Sequence, residues 1–179
     1  VYVSTDDDYI KNVANENNIG VIDRPEELAQ DETSMKEVMK HFIETKNISC
    51  NDDIILVYLT YPERTWEDVE NIYSRFLLIN EKSLVCCEEV EEHPYLCFHE
   101  RENNKAQLIV DHKFYRRQDY PSCLRLSMFV ACYKTDIVEQ LHDLMFEENT
   151  YFFKLNKHKV DVDYLDQFLS IPREEIEQR

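Results

Sequence analysis

The chain has 179 residues, which is enough for one domain with a substantial hydrophobic core. Its 37 Asp and Glu residues outnumber 20 Lys and Arg residues, and the resulting net charge of −17 argues against nucleic acid or an anionic membrane surface as a partner. No apolar run approaches the roughly 18 residues that a membrane span requires, and no signal peptide is visible.

Cysteine and glycine usage narrows the class of protein further. None of the six cysteines forms a C-x-x-C pair and several lie in apolar runs, which is typical of reduced core thiols, so we expect a cytoplasmic protein. The single glycine, Gly20, cannot build a glycine-rich phosphate loop. Because the chain begins directly in a strand-like run at Val1, we expect that an upstream element is missing and that this chain is a fragment.

The first ninety residues alternate short apolar strands with amphipathic helices. Helices are predicted after an N-cap at Thr5 or Asp6, through 35–43, and after an N-cap at Thr65. Strands are predicted at 1–4, 20–22, 54–59 and 83–87, of which 54–59 is continuously apolar. This alternation with short loops predicts an α/β fold with a mostly parallel sheet.

The rhythm changes after Glu88. Two strands are predicted at 93–98 and 106–110 around a polar turn, followed by a basic and aromatic stretch at 113–121. A strand at 124–133, a helix beginning at Thr135 and a last strand at 151–155 then complete the sheet. We therefore expect a single α/β domain over 1–179 with a small excursion at about 90–122.

An acidic pair follows the last predicted strand. Valine alternates with aspartate from Val160 to Asp163, so in an extended segment Asp161 and Asp163 point to one side while the valines pack behind them. Two carboxylates held together favour a divalent cation with oxygen ligands, such as Mg²⁺. The alternative is a solvated strand end that leads into a helix capped by Asp163, with Asp166 in its first turn.

Five stretches in order resemble the CMP-sialic acid synthetases, or acylneuraminate cytidylyltransferases, and the match covers essentially the whole chain. The stretches are 3–6 (VSTD), 24–31 (RPEELAQD), 60–65 (TYPERT), 116–121 (RRQDYP) and 161–163 (DVD). The resemblance implies a Rossmann-like nucleotidyltransferase fold. It also implies attack of an acidic sugar's hydroxyl on the α-phosphorus of CTP, which releases pyrophosphate and yields a CMP-activated sugar for surface glycan synthesis.

The resemblance assigns roles to particular residues near the nucleotide. Asp161 and Asp163 match the aspartates that hold Mg²⁺ in the family. Arg24, Thr33 and Ser34 fall where the family recognises cytosine and its ribose. From the residues alone, Arg24 is equally a surface arginine before an extended turn, and Thr33 is equally a helix N-cap.

The resemblance also implies a homodimer built on the 90–122 excursion. Arg117 and Gln118 match residues that face the acidic sugar, on an arm that reaches into the neighbouring subunit. A planar arginine suits a carboxylate. The alternative is a basic arm that pairs with the acidic body of its partner.

Several positions depart from the family pattern. Tyr58 replaces a substrate-binding glutamine, Ser127 replaces an asparagine, and Met35 replaces a serine. Exchanging an amide for a phenol or a hydroxyl changes the geometry of donors and acceptors. The acceptor is therefore left open, and two alternatives stand beside the main hypothesis: a cytidylyltransferase for a non-sialic acceptor, and a non-catalytic subunit or binding module of the same fold.

Overall fold

The computed structural model describes residues 1–172, so the end of the predicted domain, 173–179, lies outside the described residues. The described part contains eight strands and four α-helices. In chain order they are β1 (Tyr2–Thr5), α1 (Asp8–Glu16), β2 (Gly20–Asp23), α2 (Met35–Lys46), β3 (Asp53–Leu56), α3 (Trp66–Leu78), β4 (Ser83–Glu89), β5 (Phe98–Arg101), β6 (Lys105–Leu108), β7 (Leu124–Lys134), β8 (Tyr151–Lys154) and α4 (Leu165–Ser170). The helix predicted to begin at Thr135 is a short 3-10 helix, Thr135–Gln140.

The central sheet has the strand order β3-β7-β4-β8, and β1 and β2 form a separate parallel pair. The α/β class is confirmed, but the central sheet is mixed rather than mostly parallel. β7 runs antiparallel to both β3 and β4, and only β4 and β8 are parallel within it. The reason is the connection: no crossover helix joins β4 to β7, so the chain leaves the sheet, forms the excursion and returns in the opposite direction.

Helices cover both faces of this sheet. On one face Met39 of α2 packs with Val85 of β4 and with the 3-10 helix after β7. On the other face Ile72 and Phe76 of α3 pack against Leu84 and Cys86. Successive residues of β4 thus alternate between the two hydrophobic cores, which explains why its sequence is continuously apolar.

Capping residues determine where the helices begin. Thr65 caps α3 in a capping box with Asp68, as the sequence predicts. Ser34, not Thr33, caps α2 by a capping box with Glu37. Asp7, rather than Thr5 or Asp6, caps α1 by accepting a hydrogen bond from the amide of Ile10 at 2.8 Å. The caps lie one or two residues from the predicted positions because several neighbouring side chains are equally good acceptors.

A bulge interrupts the pairing of β4 with β7. Val85 pairs with Ala131, but the next residue, Cys86, pairs with Ser127, so three residues of β7 lie outside the ladder. The freed carbonyl of Phe129 accepts a hydrogen bond from Arg64 Nη1 at 2.6 Å. The bulge therefore directs part of β7 toward the turn that carries Arg64.

The excursion forms a hairpin of β5 and β6 with a turn at Glu102–Asn104, and each strand end lies within five residues of its predicted position. The first strand begins at Phe98 rather than at 93, because Pro94–Leu96 forms a 3-10 turn that proline favours. A stack of five rings supports its base: His93, Tyr95, His112, Phe114 and Tyr120. None of the helices in the described residues is long and apolar enough to cross a membrane.

Candidate active site

The acidic segment, residues 160–163, lies against the turn between β3 and α3. The amide of Val162 donates to the carbonyl of Thr60 at 2.8 Å, and the amide of Val160 donates to Glu63 Oε1 at 3.1 Å. Both valines are partly buried and both aspartates, Asp161 and Asp163, are exposed. The alternation that the sequence predicts is confirmed, although the segment is not a regular strand.

The helix after this segment is not capped by Asp163. The side chain of Gln167 accepts hydrogen bonds from the amides of Asp163 at 2.7 Å and Tyr164 at 2.9 Å. Asp166 does lie in the first turn of α4. The alternative interpretation of Asp163 as a cap is therefore wrong, because the N-cap residue of α4 is Tyr164, whose amide donates to the Gln167 side chain. The Asp163 carboxylate is left facing solvent.

Two tyrosines lie beside the Asp161 carboxylate. Burial raises the pKa of Tyr61, the neighbouring Ser127 hydroxyl opposes that rise, and the nearby Asp161 charge adds to it. Burial likewise raises the pKa of Tyr58. Its interactions with Tyr61 and Asp161 raise that pKa further. Both phenols therefore stay protonated at neutral pH and are available as hydrogen-bond donors.

Tyr61 was not among the residues singled out from the sequence. Its ring packs edge-on against Phe129 at a centroid distance of 5.5 Å and is only 5% exposed. It belongs to the same turn as Tyr58, and the family resemblance over 60–65 passes directly through it. The sequence signal that could have identified Tyr61 is its position three residues after Tyr58, at the end of a predicted strand.

Ser127 contributes an unsatisfied polar atom to the same place. Its residue is 3% exposed, and its hydroxyl has no hydrogen-bond partner at ordinary distance within the part of the chain that the structure describes. Ser127 lies beside Tyr61, whose pKa it lowers. A buried hydroxyl without a partner is costly in a protein interior, so it favours a role toward a bound molecule.

A buried carboxylate supports the acidic segment from the sheet. Glu88 Oε2 lies 3.0 Å from Arg125 Nη2 and 2.7 Å from His158 Nδ1, while its Oε1 accepts from the amide of Lys159 at 3.3 Å. Burial by itself would raise the pKa of Glu88, but the hydrogen bonds from His158 and Arg125 outweigh burial and lower that pKa. The carboxylate therefore stays charged at neutral pH.

Of the residues predicted to bind the nucleotide, Arg24 directly follows β2, and Thr33 and Ser34 directly precede α2. Arg24 donates to the carbonyl of Ser4 at 2.6 Å and to its hydroxyl at 3.2 Å. Thr33 Oγ1 donates weakly to the carbonyl of Glu27 at 3.4 Å, and Ser34 caps α2. Among the described contacts, none joins these three residues to the acidic segment. Their assignment to the nucleotide remains a prediction.

The residues predicted to face the sugar lie on the excursion. Arg117 and Gln118 form an exposed 3-10 turn, and Arg117 Nη2 lies 3.3 Å from Glu92 Oε2. Arg117 borders an open groove of about 540 Å³ that His93, Tyr120 and Cys123 also line. Within this chain the described contacts do not bring Arg117 and Gln118 to Asp161, whereas Tyr58 lies near Asp161 and Ser127 lies beside Tyr61.

The chemistry of the acidic segment fits a Mg²⁺ ion. No group of three or more His, Cys, Asp or Glu side chains among residues 1–172 is arranged to hold a metal. Mg²⁺ does not require such a cage, since it usually keeps several waters and binds one or two carboxylates together with substrate phosphates. Asp161 and Asp163, two exposed carboxylates on a segment fixed through its backbone, supply that donor set.

The fold and the site together define an α/β protein with an acidic, tyrosine-lined edge beside a mixed sheet. The family model described as cytidylyltransferase matches residues 1–171. The chain therefore belongs to the cytidylyltransferase family, and the resemblance drawn from its sequence is confirmed.

Curated relatives and a solved structure agree with this assignment. The chain is 26% identical over 178 residues to the N-acylneuraminate cytidylyltransferases of Streptococcus agalactiae serotypes V and III, covering 96% of this chain but 41% of each relative. It thus spans about two fifths of their length. A structure of CMP:2-keto-3-deoxy-manno-octonic acid synthetase complexed with CTP has a TM-score of 0.54 at 15% identity, covering 90% of this chain and 75% of that one, which supports the fold.

Proposed function

We propose that the protein of which this chain is a part transfers CMP from CTP to an acidic sugar and releases pyrophosphate. The observation that carries the proposal is the acidic segment: Asp161 and Asp163 are presented to solvent on a backbone fixed at Val160 and Val162. Phosphoryl-type transfer needs positioning and neutralisation of charge more than covalent participation by the protein. The family match and the curated relatives support the same reaction.

Asp161 and Asp163 would hold Mg²⁺, which in such reactions neutralises phosphate charge and lowers the pKa of the acceptor hydroxyl. The other residues of the site bind and orient. Tyr58 and Tyr61 provide neutral donors beside Asp161, and Ser127 offers a buried hydroxyl that a substrate group can satisfy. Arg24, Thr33 and Ser34 are proposed to recognise the cytidine.

Substitution of Asp163 tests this proposal directly. Pyrophosphate release would be measured with the full-length protein, CTP, Mg²⁺ and a panel of nonulosonic acids. Asp163→Ala is expected to lower the rate at least about 100-fold, because loss of a metal-holding carboxylate removes charge neutralisation in the transition state. Asp166→Asn is the matched control, since Asp166 is an exposed aspartate three residues away in α4.

Two outcomes would contradict the proposal. Silence of the wild-type protein across the whole panel would argue against the reaction, and full activity of Asp163→Ala would argue against the role of the segment. Micromolar binding of CTP without turnover would instead favour a non-catalytic binding module.

We propose that the acceptor differs from sialic acid itself. Tyr58 and Ser127 replace amide side chains; Tyr58 lies near Asp161, and Ser127 lies beside Tyr61. A site that offers hydroxyls instead of amides discriminates strongly against a ligand that needs the missing donors. Ser127→Asn is expected to shift the ratio of kcat/KM values toward sialic acid, and an unchanged ratio would remove Ser127 from the specificity site.

The excursion is proposed to form a homodimer and to present Arg117 and Gln118 to the sugar bound by the partner. Phe98, Phe114 and Tyr115 are exposed on it, with Tyr115 at 96%. Apolar side chains exposed on a protruding arm favour association between copies. A monomer in light scattering at moderate salt would refute this.

We also propose that the protein is cytoplasmic, which the absence of disulfides among its six cysteines supports.

A further inference from the structure

We infer that Glu88 is a positioning residue that holds the acidic segment in the geometry its two aspartates need. This inference rests on the proposed function and deepens it, because it names what fixes the proposed metal-holding residues. Glu88 itself does not touch the carboxylates of Asp161 or Asp163 in any described contact. It acts through the backbone and side chains that immediately precede them.

The contacts of Glu88 converge on the start of the segment. Its side chain is 5% exposed, at the end of a strand whose preceding residues Cys86 and Cys87 are fully buried. One oxygen accepts from the amide of Lys159, and the other lies 2.7 Å from His158 Nδ1. Lys159 and His158 stand two and three positions before Asp161, so displacement of either moves the aspartate.

Arg125 makes the buried charge tolerable. Its guanidinium lies 3.0 Å from Glu88 Oε2 and comes from β7, the strand antiparallel to β4. A buried carboxylate is stable only when cations and hydrogen-bond donors compensate its lost hydration. The carboxylate therefore links two core strands to a segment that has no strand pairing of its own.

A second carboxylate acts on the segment from the other side. Glu63, in the turn before α3, accepts from the amide of Val160 at 3.1 Å and lies 4.0 Å from Lys159 Nζ. Adjacent amides, those of Lys159 and Val160, thus donate to two different buried carboxylates that belong to two different elements. Such an arrangement fixes both position and rotation of the backbone before Asp161, which is what an exposed pair of ligands requires.

The sequence places a control beside Glu88. Glu89 is the next residue of the same strand, is exposed, and forms an ion pair with Lys154 of β8 at 2.5 Å. Glu89→Gln removes one carboxylate charge from β4 without touching the segment. Glu88→Gln keeps the shape and an acceptor oxygen but removes the charge that His158 and Arg125 stabilise.

Three measurements on the full-length protein test the inference. Hydrogen exchange of peptides covering 157–163 reports segment order, Mn²⁺ binding followed by electron paramagnetic resonance reports the carboxylate pair, and pyrophosphate release reports turnover. Glu88→Gln is expected to speed exchange of the Lys159 and Val160 amides, to weaken Mn²⁺ binding roughly 10-fold, and to raise the Mg²⁺ requirement without changing KM for CTP. Glu89→Gln is expected to match wild type in all three.

Unchanged exchange and unchanged Mn²⁺ affinity in Glu88→Gln would overturn the inference. Should Glu88→Gln fail to fold, His158→Asn serves instead, because it removes the ring contact while leaving Arg125 paired with Glu88. If wild type neither turns over nor binds Mn²⁺, the proposed function fails. Hydrogen exchange of residues 157–163 would still show whether Glu88 orders the segment. Failure of the proposed function can therefore be distinguished from failure of this inference.

Discussion

At the scale of single residues, the Asp161 carboxylate lies beside two uncharged tyrosine side chains. Tyr61 and Tyr58 stay protonated beside it because burial raises the pKa of each phenol. A protonated phenol can donate to a carboxylate without competing with a cation for charge. Both phenols are therefore neutral hydrogen-bond donors beside Asp161.

Removing the Tyr61 hydroxyl tests this account. Tyr61→Phe keeps the ring packed on Phe129 but leaves Asp161 without its phenol donor. The rate of pyrophosphate release is expected to fall about 10-fold, equivalent to about 1.4 kcal/mol, while the free energy of unfolding changes by about 1 kcal/mol or less. Tyr73→Phe is the control, because Tyr73 donates to Asp53 at 3.0 Å in a comparable phenol–carboxylate pair outside the site. Equal loss of activity in both variants would contradict a specific role for Tyr61.

At the scale of elements, the turn between β3 and α3 connects the sheet to the site. Arg64 donates at 2.6 Å to the carbonyl of Phe129 in the β7 bulge and at 2.6 Å to the carbonyl of Tyr58 after β3. One planar guanidinium thus satisfies carbonyls from two segments that strand pairing leaves unpaired. The turn that receives the acidic segment is held to the sheet by this side chain.

Arg64→Lys is expected to destabilise the fold. A lysine cannot donate in the same fork, so one partly buried carbonyl loses its partner, and the free energy of unfolding should fall by about 1 to 3 kcal/mol. Urea unfolding followed by circular dichroism measures the change. Arg75→Lys is the control, since Arg75 is exposed and donates to the hydroxyl of Tyr151. A loss in Arg64→Lys no larger than in Arg75→Lys would contradict the structural role of the fork.

At the scale of the whole molecule, the net charge of −17 means that the excess carboxylates on the surface repel one another. Many of the ion pairs are solvent-exposed, such as Lys40 with Glu139 at 2.9 Å and Lys154 with Glu89. Exposed pairs contribute little to stability because water and salt screen them. Repulsion among the excess carboxylates is therefore expected to dominate the response of the fold to ionic strength.

Added salt should consequently stabilise the protein. Raising NaCl from about 20 mM to about 200 mM shortens the screening length from roughly 20 Å to roughly 7 Å, which weakens long-range repulsion more than contact pairs. The urea midpoint is expected to rise, measured at a protein concentration low enough to keep the association state constant. A falling midpoint would show that the ion pairs outweigh the repulsion.

Local sequence patterns anticipated much of the secondary structure and part of the site. The positions of β7, β8 and the Thr65 cap follow from apolar periodicity and side-chain capping, which act within a few residues. The alternation at 160–163 likewise appears in the burial of its residues. The family assignment rested on ordered motifs, which survive where overall identity to the curated relatives is 26%.

Only the tertiary structure decided how these pieces meet. The antiparallel return of β7, the place of Tyr61 beside Asp161 and the contacts of Glu88 with the acidic segment all join residues far apart in the chain. Glu88 and Lys159, for example, are separated by 71 positions, and Glu63 and Val160 by 97. Propensity and periodicity describe a residue's near neighbours, whereas such contacts depend on strand order and on a bulge in β7. The sequence therefore predicts that the Asp161 and Asp163 carboxylates are exposed, and the packing of the sheet fixes the contacts that hold their segment in place.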